Sequence, residues 1–269
     1  MPVVWGRAHS VALAVAIATL VGVPTAVQGN PQERIVGVDV ANPAEWPWAA
    51  ALTSRDDRQF CGGSVIAPEF VLTAAHCVAE TPPKFVRVVT GRPDLSDTGA
   101  GQKLKVEEIS VPGKYYRRGV PDVAVLQLKE ATTSTPVALP TTKEDVEATA
   151  VGSELRVAGW GAKRPNGSRS SMKLRAVETF VKKARQCERA FPFFRAKFNI
   201  CTRGAPRGKH DKSACYGDSG GPLVADTVSG PRLVGVVSYG GIRCGVNDPT
   251  VFGRVASALG FIGKQIDPP

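Results

Sequence analysis

Short β-branched and apolar segments alternate along most of this chain with turns rich in Gly and Pro, and helical periodicity is nearly absent before the C-terminus. The pattern predicts strands over 48–53, 63–66, 70–73, 85–90, 103–111, 123–128, 154–159, 175–181, 222–224, 233–239 and 251–255. Strands this short, punctuated this often, suit an all-β sandwich or barrel. Near the end, Val255, Leu259, Ile262 and Ile266 fall at helical spacing within 252–266, which predicts a terminal α-helix packed on the body. Around 131–150 the composition turns to Thr, Ser, Pro and mixed charge, as in a connector between two halves of similar size. Two β domains are therefore expected.

The first residues break this pattern. Arg7 and His9 precede a run of 13 uncharged residues, 11–23, followed by Pro24, Thr25 and Ala26. That run is too short to span a bilayer but suits the apolar core of a secretory signal, with cleavage between Ala26 and Gly29. The mature protein is then secreted and extracellular, and a retained membrane anchor is the alternative. In an exported chain the six cysteines, Cys61, Cys77, Cys187, Cys201, Cys215 and Cys244, are expected to form three disulfides. Spacing alone does not choose among the pairings. No Cys-x-x-Cys occurs and only one His adjoins a Cys, which disfavours zinc.

With 269 residues and 43% hydrophobic content the chain can bury one large core or two small ones. Its net charge is +10, and without residues 1–34 it keeps 32 basic against 23 acidic residues, a net +9. The excess is local: from Arg156 to Lys212 there are 16 Lys or Arg against Glu178, Glu188 and Asp211. Such a region is either solvated surface or a contact for acidic polymers. No nucleic-acid module accompanies it, and the aromatics between the cations are too few for a stacking platform, so no specific nucleic acid is expected.

Candidate chemistry centres on Gly217-Asp218-Ser219-Gly220-Gly221-Pro222. Glycines let the backbone approach a substrate closely, so two amide N–H groups can point at one oxygen beside an exposed Ser Oγ. Alone, a Ser in a Gly-rich turn is as readily just a turn. A Ser nucleophile needs a base, and after signal removal only His76 and His210 remain. His210 lies among Arg207, Lys209, Asp211 and Lys212, a setting for an exposed surface His, whereas His76 adjoins Cys77. The base in turn needs a carboxylate to hold its tautomer. Asp122 stands at the mouth of the apolar run Val123-Ala124-Val125-Leu126, where a charge is costly without a partner, although after Pro121 it also fits a turn.

Taken in order, Thr73-Ala74-Ala75-His76-Cys77, Asp122-Val123-Ala124-Val125-Leu126 and Gly217-Asp218-Ser219-Gly220-Gly221-Pro222 resemble the trypsin and chymotrypsin family of serine proteases, from Ile35 to about Ile266. The resemblance implies a double antiparallel six-stranded β-barrel with a C-terminal α-helix. Residues 1–29 are then a signal peptide and 30–34 a short propeptide. The first barrel spans 35–140 with His76 and Asp122, and the second spans 141–269 with Ser219 and the helix. It further implies catalysis by His76, Asp122 and Ser219, an oxyanion hole from Gly217 and Ser219, and disulfides Cys61–Cys77, Cys187–Cys201 and Cys215–Cys244.

Arg34-Ile35-Val36-Gly37 resembles a zymogen activation site, at which cleavage frees an Ile35 amine to pair with Asp218; Val38 departs from the glycine common there. Substrate binding is implied for Ser213, Tyr216, Ser238, Tyr239, Gly240 and Thr250. Ser213 stands where members cleaving after Arg or Lys carry an acid, and Thr250 replaces a frequent glycine. The expected preference is for small to medium apolar side chains, chymotrypsin- or elastase-like, subject to Asp211, Asp248 and Arg243 on neighbouring loops. Arg92 in Thr90-Gly91-Arg92-Pro93-Asp94 replaces a carboxylate of the calcium loop seen in some members, so neither a metal nor a cofactor is expected. Expected partners are peptide and protein substrates and an activating protease, with the enzyme a monomer that leaves the membrane once its signal is removed. The alternative is a catalytically silent homologue that binds acidic ligands. An α/β-hydrolase esterase is excluded, since there His comes last in the chain.

Overall fold

The computed structural model describes residues 1–3, 39–113, 120–164, 166–167, 170–207, 210–246 and 248–267. The expected signal and propeptide, and Ile35 after the expected cleavage site, lie outside them apart from residues 1–3.

Six strands close the first barrel. They are β2 (Ala49–Thr53), β3 (Gln59–Ala67), β4 (Phe70–Thr73), β5 (Arg87–Thr90), β6 (Gln102–Ser110) and β7 (Ala124–Leu128), ordered β2-β3-β4-β7-β6-β5 with β5 pairing back onto β2. Leu52, Val65, Leu72, Val88 and Leu126 fill its interior. In β6 a register shift at Val106/Glu108 lets Glu107 and Glu108 both stay exposed while Leu104 and Val106 point inward.

The second barrel comprises β8 (Glu154–Gly159), β9 (Arg175–Val181), β10 (Asn199–Gly204), β13 (Pro222–Thr227), β14 (Gly230–Tyr239) and β15 (Thr250–Arg254). It closes by pairing of β8 with both β13 and β9. A two-residue hairpin, β11 (Pro206–Arg207) with β12 (His210–Asp211), projects after β10. All pairings within both barrels are antiparallel, and the all-β double-barrel expectation holds.

Four features depart from the sequence reading. First, β1 (Asp39–Val40), expected with the first barrel, pairs with β9 of the second, ahead of the strands of the first barrel. Second, 85–90 divides into a 3-10 turn at Pro83–Phe85 and the shorter β5, because Pro82 and Pro83 favour the tight turn. Third, β10 and the helices α2 (Thr142–Ala148) and α3 (Ala184–Ala190) were not expected, and α2 occupies part of the supposed connector. Fourth, the terminal helix is a 3-10 turn, Val255–Ala258, continuing into α4 (Leu259–Ile266). Val255, Ala258 and Ile262 are buried in the same cluster as the first barrel's core, so the C-terminus ties the two barrels together. Burying one such side chain contributes roughly 1.5–3 kcal/mol.

Candidate active site

His76 lies on the single turn α1 (Ala75–Val78), directly after β4, and the Cys61–Cys77 disulfide fastens that turn to β3. Asp122 stands just before β7, the strand that pairs with β4, so strand pairing alone brings the two side chains together. The His76 Nδ1 lies 2.7 Å from Asp122 Oδ2, the His76 amide donates to Oδ1 at 3.0 Å, and the Ser238 hydroxyl donates to Oδ2 at 2.6 Å. Burial pushes the Asp122 pKa up, but the His76 ring bond and charge, the Ser238 hydroxyl and the His76 amide outweigh it and hold it below the usual carboxylate range. An ionised carboxylate only accepts, so Nδ1 carries the imidazole proton and Nε2 keeps a free lone pair.

Ser219 comes from the second barrel. Its carbonyl accepts from the Gly62 amide at 2.7 Å, which pins the Ser219 loop to β3 of the first. That approach depends on the neighbouring glycine: Gly220 has φ +81°, and a Cβ there would run into Thr73 Oγ1 and the Gly62 carbonyl. Gly217 is likewise left-handed, at φ +92°. Two turn bonds frame the loop, Asp218 N to Cys215 O at 2.9 Å and Gly221 N to Asp218 O at 2.8 Å. Among the described residues, neither the Gly217 nor the Ser219 amide donates to a protein acceptor. No hydrogen bond joins the Ser219 hydroxyl to His76 Nε2 either; Nε2 contacts Cys77 Sγ at 3.7 Å. Such catalytic bonds are commonly long in a free enzyme and tighten when substrate arrives.

The six residues expected to bind substrate, Ser213, Tyr216, Ser238, Tyr239, Gly240 and Thr250, line one cavity of about 230 Å³ together with Ser219. The Ser213 hydroxyl donates to the Ala214 carbonyl at 2.7 Å and lies 3.1 Å from Thr250 Oγ1, so two hydroxyls stand together in this cavity. Tyr216 reaches across to donate to the Ile242 carbonyl at 2.8 Å. Of the acids on neighbouring loops, Asp248 lines the cavity and Asp211 does not, being buried in an ion pair with Arg203.

Asp218 does not line this cavity. Its carboxylate is buried and accepts from the amides of Gly161 at 2.7 Å and Cys215 at 2.8 Å. Among the described residues no cation pairs with it, and burial, only partly offset by those two bonds, raises its pKa to about 6. Its expected partner, Ile35, lies outside the described residues.

Gln59 was not anticipated as a site residue. At the start of β3, it donates to the Gly217 carbonyl at 2.7 Å and to the Cys61 carbonyl at 3.0 Å, tying the candidate oxyanion loop to the first barrel. Nothing in its sequence surroundings signals a contact 158 residues away. The disulfides Cys61–Cys77, Cys187–Cys201 and Cys215–Cys244 form as the resemblance implied. Cys61, His76 and Cys77 lie close enough together to suggest a metal site, but both sulfurs are committed to the disulfide. In the loop resembling a calcium site, the Arg92 guanidinium donates to the carbonyls of Ala100 at 2.7 Å and Thr98 at 3.1 Å, supplying the positive charge there itself.

A family model described as Trypsin matches residues 35–262. The chain belongs to the trypsin family. Among its trypsin-family relatives, a protein named Trypsin from Saccharopolyspora erythraea is 32% identical over 235 residues, covering 87% of this chain and 98% of the relative. A solved structure titled human heparin binding protein superposes with a TM-score of 0.73 at 31% identity, over 87% of this chain and 98% of that one. Membership in the trypsin family makes serine protease the activity class of this chain.

Proposed function

We propose that the protein is a secreted serine endopeptidase, made as a zymogen and activated by cleavage after Arg34. The observation carrying this reading is the clasp on His76: Asp122 and Ser238 fix the tautomer that leaves Nε2 basic, beside a cavity that Ser219 lines. In this reading Ser219 Oγ attacks the scissile carbonyl as Nε2 takes its proton. The amides of Gly217 and Ser219 receive the oxyanion, and His76 returns the proton to the leaving amine. Water then repeats the sequence on the acyl-enzyme. Activated protein should be labelled stoichiometrically by a fluorophosphonate at Ser219. Absence of label would leave the silent homologue that binds acidic ligands as the better account.

For the residue before the scissile bond we expect small to medium apolar side chains over cations, because Ser213 offers no carboxylate to pair with Arg or Lys and the Thr250 side chain narrows the cavity. A peptide panel varied only at that residue should show Ala, Val and Leu cleaved faster than Arg and Lys. Dominant cleavage after Arg or Lys would overturn this preference and point to Asp248 as the counter-charge.

Activation rests on Asp218. In uncleaved protein its carboxylate has no cation among the described residues, so the folded state keeps a proton that the unfolded chain releases near pH 4. Folded protein therefore loses stability as pH rises from the ordinary carboxylate value of 3.8 to about 6. The shift corresponds to about 3 kcal/mol. Pairing with the Ile35 amine after cleavage removes this penalty and fixes the carboxylate that holds the Cys215 amide, at the base of the loop leading to Gly217. An Arg34→Gln precursor and the cleaved enzyme should differ little in urea stability at pH 4 and clearly at pH 7. Parallel pH dependence in the two forms would rule the latch out.

A further inference from the structure

Beside the cleft lies a cationic face that the catalytic reading leaves unused. The Tyr239 ring, which lines the substrate cavity, meets the Phe191 ring edge-on at 5.3 Å. Phe191 caps α3, its amide donating to the Cys187 carbonyl at 2.7 Å, and the Cys187–Cys201 disulfide closes this loop onto β10. Four residues on, the Arg195 guanidinium is pinned by the carbonyls of Phe194 at 2.7 Å and Pro192 at 3.1 Å, while its amide donates to Asn199 Oδ1 at 3.0 Å. Phe194 is buried beneath, so Arg195 stands on a braced turn and not on a loose loop.

Through the Phe191–Tyr239 ring contact this turn borders the Tyr239 side chain. The Tyr239 hydroxyl is buried and unpartnered among the described residues. Burial first and the Asp122 charge second push its pKa up to about 12, and Arg195 opposes them. In the same α3-to-β10 segment Lys183, Arg185, Arg189 and Lys197 are exposed, and Glu188 is the one acid within 182–197. Among the described residues none of these five cations makes an ion pair, so their charge is uncancelled. Asp122, the other nearby acid, is already occupied by His76.

We infer that this face selects substrates carrying acidic side chains three and four residues before the scissile bond. The inference rests on the protease reading. An extended peptide whose last residue before the bond fills the cavity pairs with Ser238-Tyr239-Gly240 and runs outward from Asp122. Three residues of pairing bring the preceding side chains beside Phe191 and Arg195. There a carboxylate gains a fixed guanidinium and the field of the neighbouring cations.

The test uses the activated full-length enzyme and peptides identical except for Glu, Gln or Lys at those two positions. At low ionic strength kcat/KM should rank Glu over Gln over Lys, each step about fivefold for partly exposed pairs. Added salt should compress the ranking. Arg195→Lys should preserve the order, and Arg195→Glu should reverse it for Glu against Lys. Equal cleavage of all three peptides would overturn the inference while leaving the protease intact. A ranking untouched by Arg195→Glu would overturn it too, even if that variant lost retention on an immobilised sulfated polysaccharide, because the face would then serve a polymer. Absence of all cleavage and of fluorophosphonate labelling would take down both readings.

Discussion

Ser219→Ala, His76→Ala and the double variant are expected to lose the same factor in kcat, about 10⁶, rather than two losses that multiply. The reason is that the two groups act as one unit. Without His76 Nε2 to take its proton, the Ser219 hydroxyl is a poor nucleophile at neutral pH. Without Ser219, the clasped imidazole has no proton to accept. What survives is binding in the cavity and the amides of Gly217 and Ser219, which neither substitution removes. The fold should survive as well: the Gly62 amide bonds the Ser219 main-chain carbonyl, and alanine retains that carbonyl. KM should stay within a few-fold, since the cavity lining is otherwise unchanged. Single-turnover hydrolysis of one peptide by all three variants, with circular dichroism as the folding control, decides the matter. If the double variant were far worse than either single, the two residues would be working separately and the proposed proton path would be wrong.

How much of this was readable beforehand depends on where the contacts lie. β4 and β7 begin with clear apolar runs, Phe70–Leu72 and Ala124–Leu126, and His76 and Asp122 sit just beyond their ends, so strand reading placed both catalytic candidates near paired elements. β10 was missed because its burial does not alternate: polar Asn199 and Thr202 are buried together with Ile200 and Cys201, Asn199 Oδ1 accepting from the Arg195 amide and Thr202 Oγ1 from Thr179 Oγ1 at 2.8 Å. Mutually satisfied polar groups erase the alternation on which strand reading depends. α2 was read as a connector for a similar reason. Its buried face is anchored by Asp145, paired with Arg254 at 2.5 Å, and not by an apolar stripe. Its Thr141 to Glu144 capping box was the signal that could have revealed it. Gln59 and Phe191 owe their importance to distant partners in three dimensions, Gly217 and Tyr239, and local pattern says nothing of such pairs.

Asp122→Asn is expected to lower kcat by about 10⁴ while leaving the protein folded. Asparagine is nearly isosteric, so its carbonyl oxygen can keep the bond from the His76 amide that Oδ1 now accepts. The amide nitrogen then takes the place of Oδ2, facing both His76 Nδ1 and the Ser238 hydroxyl. Its two N–H groups can donate to each, because the Ser238 hydroxyl rotates to accept. That arrangement satisfies every group but obliges Nδ1 to be the acceptor, placing the imidazole proton on Nε2. The base is thereby turned into a donor toward Ser219, and the positive charge that develops on the ring loses its carboxylate. Stability should respond differently from rate. Because the folded-state pKa of Asp122 is depressed, its contribution is fully present above the ordinary carboxylate value of 3.8 and is lost as pH falls through the lower folded value. Wild type should thus exceed Asp122→Asn in stability at neutral pH, and the gap should close in strong acid. Measured side by side, a large loss of kcat with a modest, acid-sensitive change in unfolding free energy supports the tautomer argument. A variant retaining near-normal kcat would show that the carboxylate only braces the fold.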